Sequence, residues 1–272
     1  MRIRTFLSLG LVVCLIAVII TCATTGPGGE KDLILISTAQ EKQLGTEFDK
    51  QVRAQSEIYD NESWNDYFNE IGQGIVAVSD RKDLDYKFTV IKSNDVNAFA
   101  VPGGYIYIYT GLLDIIENEA QLAAVTSHEI SHVVARHSIK RIQQVMGIQI
   151  LYQIVVGEAS SEALDAVIGL GLNVALSGYS REYEREADQY GVFYMEKAGY
   201  NPEGAIGLFN QLREAHGGTS EDRSFFENLF ASHPETQERI NNVEEQLGQY
   251  SQEVLNRDKN QNKYQQMKSL LP

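Results

Sequence analysis

Hydrophobic residues recur at helical spacing along most of this chain. The capping-box pattern Thr38-Ala39-Gln40-Glu41 is followed by Leu44, Phe48 and Val52, which recur at the spacing of one helix face. These features predict an amphipathic helix. A second amphipathic helix is predicted from about Glu62 to Ser79, where the large apolar residues share one side. Both helices are expected to pack against the core that carries the chemistry.

Two stretches show the two-residue period of a β-strand. Tyr86, Phe88 and Val90 alternate with polar residues, which predicts a half-buried strand. Residues 105–110 alternate strictly and predict a second strand, after a turn-rich link at 97–104. The helices outnumber the strands, so the predicted fold is mainly α-helical with a small β-sheet, an α+β class.

The strand that begins at Tyr105 has two interpretations. In the first, it belongs to a hairpin that flanks the core. In the second, it is an edge strand to which an extended substrate backbone adds, with Gly104, Tyr105, Ile106 and Tyr107 as the binding residues. The paired glycines Gly103 and Gly104 would permit the close approach of a backbone. The sequence leaves both interpretations open.

The central helix of the chain is predicted to begin after Asn118, which can act as the N-cap, with Gln121 at the third helical position. From Leu122 to Ala135 the segment contains no Gly or Pro and is apolar on nearly every face, which is typical of a buried helix. Its polar residues therefore need partners, because an unpaired buried polar group costs several kcal/mol.

Those polar residues form the pattern His128-Glu129-Ile130-Ser131-His132. Residues four apart lie on one face of a helix, so both imidazoles can bind one metal ion. Glu129 is then close enough to deprotonate a water molecule at an open coordination position, as in metalloproteases. The alternative is a chance match formed by ordinary core histidines.

A charged run after the predicted cap Ser180 supplies a candidate third ligand. Glu184 and Asp188 lie four apart, so Glu184 could bind the metal while Asp188 hydrogen-bonds a ligating histidine. The alternative for this run is a solvated helix face. His137 would lie about 140° around a continuous helix from His132, and it is assigned a structural role near the helix C-terminus.

The remaining segments carry weaker patterns. The apolar runs Met146–Val156 and Ala163–Leu176 are shorter than the ~20 residues of a membrane span, and they predict buried helices or a contact surface. Asn201-Pro202 starts a helix. Ser232-His233-Pro234 opens another, where His233 either caps the helix at the surface or points into a cleft. The polar residues 249–272 predict a trailing helix or a disordered tail after a domain at 37–248.

Composition narrows the function classes. A chain of 272 residues suits one large domain, alone or with appendages. Its net charge of −14 argues against nucleic acid as a main partner. At the N-terminus, Arg2 and Arg4 precede an apolar run from Phe6 to Ile20. Such a segment is a targeting sequence and not part of the fold.

Residues 1–22 resemble a bacterial lipoprotein signal peptide, in which Cys22 becomes lipidated after cleavage. The alternative is a signal anchor in the inner membrane, because Phe6–Ala23 is long enough to span. In the favoured interpretation Cys22 is the one cysteine left, which excludes a disulfide. Residues 23–36 then form a tether. Ala23 after the cysteine favours the outer membrane, with the domain facing the periplasm.

Four motifs occur in order and together resemble a known family. They are Asn97-Ala98-Phe99 with Pro102-Gly103-Gly104-Tyr105-Ile106, His128-Glu129-x-x-His132, Ser180-Arg181 with Glu184-x-Glu186-Ala187-Asp188, and Ser232-His233-Pro234 with Glu238-Arg239. Over roughly residues 40–246 the chain is similar to the zinc metallopeptidases related to the CAAX prenyl protease and HtpX. It most resembles bacterial periplasmic and lipoprotein members of the BepA and LoiP type. The resemblance implies an HExxH gluzincin-type metallopeptidase domain.

The resemblance also implies a role for each matching residue. It implies one zinc ion held by His128, His132 and Glu184, with Glu129 as the base. Asp188 would support the site, and Arg239 would be a nearby positive group. His233 would lie over the metal, as an oxyanion stabiliser or as a resting-state ligand. The implied activity is hydrolysis of unfolded or misassembled envelope proteins, which are polypeptide substrates. The outer-membrane assembly machinery is a further candidate partner.

Two departures from the family and one alternative function complete the sequence-based picture. The chain shows neither the multi-span body of the prenyl protease, which puts prenylated substrates in doubt, nor the helical-repeat tail of the BepA type. The alternative is a chaperone-like or scaffolding envelope lipoprotein with a largely closed zinc site. It is motivated by His233, because four protein ligands leave no position for water.

Overall fold

A three-stranded sheet packs beside a long buried helix at the centre of this computed structural model, which describes residues 22–25, 30–146, 151, 153–154, 167–169, 178–216, 226–234 and 237–272. The strands are β1 (Cys22–Thr25), β2 (Glu30–Leu33), β3 (Lys87–Ile91), β4 (Ala98–Val101) and β5 (Tyr105–Tyr109). The helices are α1 (Thr38–Gln55), α2 (Glu62–Val76), α3 (Thr110–Ile115), α4 (Glu119–Val134), α5 (His137–Val145), α6 (Arg181–Lys197), α7 (Gly204–His216), α8 (Glu227–Ser232), α9 (Gln237–Leu247), α10 (Gln252–Leu255) and α11 (Gln261–Lys268). The predicted α+β class is confirmed.

The sheet has the order β3-β5-β4, with β5 parallel to β3 and antiparallel to β4. The link predicted at 97–104 therefore contains a strand. All four residues of β4 are apolar and buried, so the strand lacks the two-residue alternation by which a half-buried strand is recognised in a sequence. For this reason β4 was not predicted. Because β5 lies between two strands, the prediction that Gly104, Tyr105, Ile106 and Tyr107 form a substrate-binding edge is wrong.

Helix α1 begins one residue earlier than predicted because Ser37, not Thr38, is its cap. The Ser37 hydroxyl accepts from the Gln40 backbone, and the Gln40 side chain accepts from the Ser37 backbone. Glu41, the acidic residue of the predicted capping box, does not cap the helix. It is buried, and its carboxylate pairs with Arg81 at 2.7 Å and with Arg136 at 2.8 Å. The ion pair with Arg136 ties the start of α1 to the end of α4.

Two predicted helix starts are confirmed. The Asn118 side chain accepts from the backbone of Gln121 at the start of α4, and Ser180 accepts from Tyr183 at the start of α6. Asparagine and serine suit these positions because a short side-chain oxygen reaches the unpaired amides of the first helical turn. These caps fix the two helices that supply most of the predicted site.

The C-terminal residues that were predicted as a trailing helix or a tail form helices α10 and α11, and α11 packs on the domain. Tyr264 of α11 is fully buried, packs edge-on against Trp64 at 6.1 Å and donates to the Leu113 carbonyl. Asn260 donates to Glu119 at 2.7 Å, at the start of α4. At the other end, Ile34 and Ile36 are buried.

Two predictions fall outside the described residues. The first is the signal peptide, of which residues 1–21 are not described. The second concerns the apolar runs Met146–Val156 and Ala163–Leu176, most of whose positions are not described. Among the helices of the described residues, none combines the length and the apolar character that a membrane span requires.

Candidate metal centre

Helices α4 and α6 lie side by side and bring the HExxH histidines against Glu184. Gly191 permits this approach, since a Cβ atom there would lie 3.2 Å from the backbone nitrogen of His128. His132 and Glu184 are buried, and His128 is nearly so. His233, which directly follows α8, reaches the same point from a separate segment of the chain.

Four side chains converge at this point: His128, His132, Glu184 and His233 each offer one ligand atom, and these atoms lie within 4.8 Å of one another. The Nε2 atoms of the two HExxH histidines are 3.0 Å apart. Each is 3.5 Å from an oxygen of Glu184, and His233 Nδ1 is 3.0 Å from the same carboxylate. Two imidazoles and a carboxylate are the donor set of many catalytic zinc sites.

The electrostatics of the site favour a bound cation. Burial opposes the protonated form of His128, but its contacts with Asp188 and Glu184 outweigh burial and raise its pKa to about 10. Burial opposes the charged form of Glu184, but the surrounding histidines hold its pKa well below the ordinary value. The low pKa keeps Glu184 in the anionic form that binds a cation, and burial lowers the pKa of His132 well below its ordinary value, which keeps that imidazole neutral and able to bind a metal.

Two buried polar atoms of the site have no hydrogen-bond partner among the described residues. They are Glu129 Oε2 and His233 Nε2. Such orphans are rare in native proteins and call for a specific explanation. Both atoms adjoin the converging ligand atoms, where a hydrolytic metal centre would accommodate water and substrate. The residues present therefore fit a zinc ion.

A second layer of charged groups holds the first ligand and the carboxylate. Asp188 Oδ1 lies 3.0 Å from His128 Nδ1. This contact orients the His128 ring so that its Nε2 atom is the one that can bind a metal. Arg239 donates two hydrogen bonds to Asp188, at 2.6 Å and 2.7 Å, and also contacts Glu184 at 2.9 Å. The guanidinium thus holds the carboxylates of Asp188 and Glu184 in place.

His137 lies against His132, in contrast to the position predicted for it. The prediction assumed a continuous helix, but α4 ends at Val134 and Arg136 adopts the left-handed conformation with φ of 56°. Helix α5 then starts at His137, whose Nδ1 atom lies 2.8 Å from His132 Nδ1. Its Nε2 atom lies 3.1 Å from Glu186. No local pattern indicated this break, because arginine rarely adopts that backbone conformation.

Sequence reasoning also missed Gly178 and Tyr179. The Tyr179 ring stacks on His132 with a centroid distance of 4.1 Å, and its backbone donates to the Ser232 carbonyl. Gly178 has φ of 89°, and a Cβ atom there would lie 2.3 Å from the Ala231 carbonyl oxygen. These two residues connect a ligand on α4 to the segment that presents His233. A glycine-tyrosine pair outside any motif carried no signal of this role.

The structure brings most of the predicted site residues into one buried group. The members are His128, Glu129, His132, Glu184, Asp188, His233 and Arg239. The predicted strand residues Gly104, Tyr105, Ile106 and Tyr107 lie next to or within β5, and Cys22 lies in β1.

Comparison with known proteins agrees with this geometry. The sequence profile of peptidase family M48 matches residues 62–247, which include every residue of the buried group. The chain belongs to peptidase family M48. Members of this family are zinc-dependent, in agreement with the ligand set found in the structure.

Three relatives illustrate the range of the M48 family. The chain is 31% identical over 183 residues to the mitochondrial metalloendopeptidase OMA1 of Schizosaccharomyces pombe, covering 66% of this chain and 52% of the relative. It is 26% identical over 221 residues to a putative beta-barrel assembly-enhancing protease of Vibrio cholerae, covering 78% and 45%. It is 28% identical over 176 residues to the metalloprotease YcaL of Escherichia coli, covering 60% and 62%. The chain spans about half the length of the curated relatives it matches.

Within this M48 domain we predict that His137→Phe weakens zinc binding about 10-fold to 100-fold. Phenylalanine retains the stacking on Tyr183, whose ring centroid lies 4.2 Å away, but it cannot accept a hydrogen bond from His132 Nδ1. The dissociation constant is measured by competition with a chromogenic chelator. His216→Phe, on α7, is the matched control. Equal zinc affinity of His137→Phe and wild type would refute the prediction.

Proposed function

We propose that this chain is a zinc-dependent metalloendopeptidase. The observation that carries the proposal is the convergence of His128, His132 and Glu184 beside the buried carboxylate of Glu129, which has one oxygen without a partner among the described residues. A site with three protein ligands and an adjacent base is the arrangement used for hydrolysis. A zinc ion held there would supply Lewis-acid activation of water and of the peptide carbonyl.

Glu129 is suited to carry protons in this reaction. Burial raises the pKa of its carboxyl group above the ordinary value, although His233 and His128 partly oppose the shift. A higher pKa makes the carboxylate a stronger base toward the attacking water and leaves it able to protonate the departing amine. The nearby Ala100 backbone also opposes part of the upward shift of this pKa, because it favours the charged carboxylate.

His233 is suited to stabilise the developing oxyanion. Its Nδ1 atom is fixed by Glu184 at 3.0 Å, while Nε2 is buried, lies 3.5 Å from Glu129 Oε1 and has no hydrogen-bond partner among the described residues. A fixed donor aimed at the reacting group stabilises negative charge without reorganisation. Asp188 and Arg239 would support the site by orienting His128 and Glu184.

We assign substrate backbone binding to β4 in place of β5. Hydrogen-bonded and non-hydrogen-bonded pairs alternate along an antiparallel ladder. The Tyr109 amide donates to the Asn97 carbonyl, so the next residue, Ala98, and also Ala100 direct their backbone groups away from β5. The contact between Ala100 and Glu129 puts this outer edge beside the base. An extended peptide added to β4 would therefore pass over the metal centre.

The finer role we propose is degradation of unfolded or misassembled envelope proteins. It is supported by the family and by relatives whose names describe beta-barrel assembly-enhancing proteases. We further propose attachment to the outer membrane through Cys22, which rests on the sequence of residues 1–22. The outer-membrane assembly machinery is the corresponding candidate partner.

A second candidate is a scaffolding or chaperone-like lipoprotein with a largely closed zinc site. His233 motivates it, because its Nδ1 atom is 3.4 Å from His128 Nε2 and belongs to the converging set of ligand atoms. A fourth protein ligand would exclude water from the metal. The two candidates differ in whether the zinc-loaded protein cleaves polypeptides.

The deciding experiment measures casein cleavage by the full chain in detergent, with zinc content quantified. We expect about one zinc per chain, loss of cleavage after chelation and recovery with Zn²⁺ but not Mg²⁺. Zinc without cleavage, with cleavage appearing in His233→Ala, would favour the closed-site candidate. Absence of bound zinc would overturn both candidates.

A further inference from the structure

Arg136 is a buried residue in a backbone conformation that favours glycine. It joins α4 to α5 with φ of 56° and ψ of 33°. Residues with a β-carbon rarely adopt this conformation, and they keep it only where the surrounding contacts hold them in it. The side chain of Arg136 is only 6% exposed, so its partners lie within the protein. The left-handed turn therefore depends on what the guanidinium contacts.

The contacts of the guanidinium come from the N-terminal part of the chain. Arg136 Nη2 lies 2.8 Å from Glu41 Oε2 and donates to the Ile36 carbonyl at 2.7 Å. The Glu41 carboxylate also accepts two hydrogen bonds from Arg81, at 2.7 Å and 3.0 Å. Arg81 in turn donates to the Val133 carbonyl, in the last turn of α4. Buried hydrogen bonds between charged groups are strong, so Glu41 fixes the end of α4.

The turn at Arg136 places His137 against a metal ligand. His132 directs its Nε2 atom toward the other ligand atoms, so in the neutral ring its proton is on Nδ1. This Nδ1 lies 2.8 Å from His137 Nδ1, which accepts the proton's hydrogen bond. His137 then donates from Nε2 to Glu186 at 3.1 Å. If the turn at Arg136 opened, the buried N–H group of His132 would lose its acceptor.

We infer that Glu41 is a positioning residue of the metal centre. It holds Arg136 in the left-handed conformation and thereby keeps His137 in place to orient the ligand His132. Glu41 offers no atom to the converging ligand set and lies before residue 62, where the family match begins. The inference rests on the zinc site of the proposed function, but it does not depend on peptide cleavage.

Two substitutions of Arg136 separate backbone conformation from charge. Arg136→Ala and Arg136→Gly both delete the guanidinium, but only glycine adopts a positive φ readily. In the full chain we expect Arg136→Ala to weaken zinc binding about 10-fold to 100-fold and Arg136→Gly to stay within about twofold of wild type. The dissociation constant is measured by competition with a chromogenic chelator. Equal losses in the two variants, or no loss in either, would overturn the inference.

A double variant connects Glu41 to this turn. Glu41→Gln should weaken zinc binding about 10-fold to 100-fold, because one amide oxygen cannot pair with both arginines as the carboxylate does. In the Arg136→Gly background the same change should cost no more than about twofold, because glycine keeps the turn without the carboxylate. A full loss in both backgrounds would show that Glu41 acts by another route. Glu47→Gln, exposed on α1, is the matched control and should bind zinc as wild type does.

Circular dichroism and thermal unfolding show whether each variant is folded. If Glu41→Gln fails to fold, the comparison of Arg136→Ala with Arg136→Gly decides the inference by itself. A folded Glu41→Gln protein with wild-type zinc affinity would refute it. Zinc binding without cleavage by wild type would instead overturn the proposed peptidase function, and the zinc affinities of the variants would still test the role of Glu41.

Discussion

Glu129→Gln should lower the rate of casein cleavage about 10²-fold to 10⁴-fold while zinc remains at about one per chain. Glutamine has nearly the same shape as glutamate, but it cannot take a proton from water. Glu129 is not among the converging ligand atoms, so metal binding does not depend on its charge. The effect should therefore fall on catalysis and spare the metal.

Zinc content, thermal stability and initial cleavage rate together check this prediction. Glu117→Gln is the matched control, because Glu117 is exposed and precedes α4. It should cleave casein as wild type does. A Glu129→Gln protein that loads zinc and still cleaves at more than about a tenth of the wild-type rate would exclude Glu129 as the base.

Glu184→Ala should remove both zinc and activity. The change deletes the carboxylate ligand and leaves two groups that faced it, His233 at 3.0 Å and Arg239 at 2.9 Å, without that partner. Arg239 keeps its ion pair with Asp188, but its charge is no longer also balanced by Glu184 and opposes a cation at the same point. Loss of an outer residue of a metal site typically weakens binding 10-fold to 100-fold, and loss of a ligand should exceed about 100-fold.

The matched control is Glu182→Ala, since Glu182 lies two residues away on α6 and is exposed. Its zinc affinity should equal that of wild type. Zinc affinity is measured by chelator competition, and circular dichroism monitors whether the variant keeps the helix content of wild type. Wild-type zinc affinity in a folded Glu184→Ala protein would contradict the assignment of Glu184 as a ligand.

Both ends of the metal-binding helix are held by segments outside the part that matches the M48 family. At the start of α4, Asn260 donates to Glu119, and the Ala120 amide donates to the Lys259 carbonyl. At its end, Glu41 pairs with Arg136, the left-handed residue that allows His137 to face His132. The matched region ends at residue 247 and begins at residue 62. The flanking residues of this chain thus contribute to the geometry of the centre.

The starts of the main helices and the types of the ligand residues could be predicted from the sequence alone. Two histidines four apart must share a helix face, and Asn118 and Ser180 fix helix starts through side chains that reach the adjacent turn. These are local relations, set by backbone geometry over a few residues. The positions of Glu184 and Asp188 on one helix face follow in the same way.

Which of these elements lie against one another could not be predicted, because it depends on contacts between residues that are far apart in the chain. Strand β4 is buried throughout, so its sequence lacks the alternation of apolar and polar residues that would indicate a strand. Its position at the edge of the sheet is set by pairing with β5. His137 reaches His132 because a distant carboxylate, Glu41, holds Arg136 in a strained conformation. Tyr264 is buried although its neighbours are polar, because Trp64 and Leu113 provide its contacts from distant positions. Such contacts join residues far apart in the chain, and no local pattern records them.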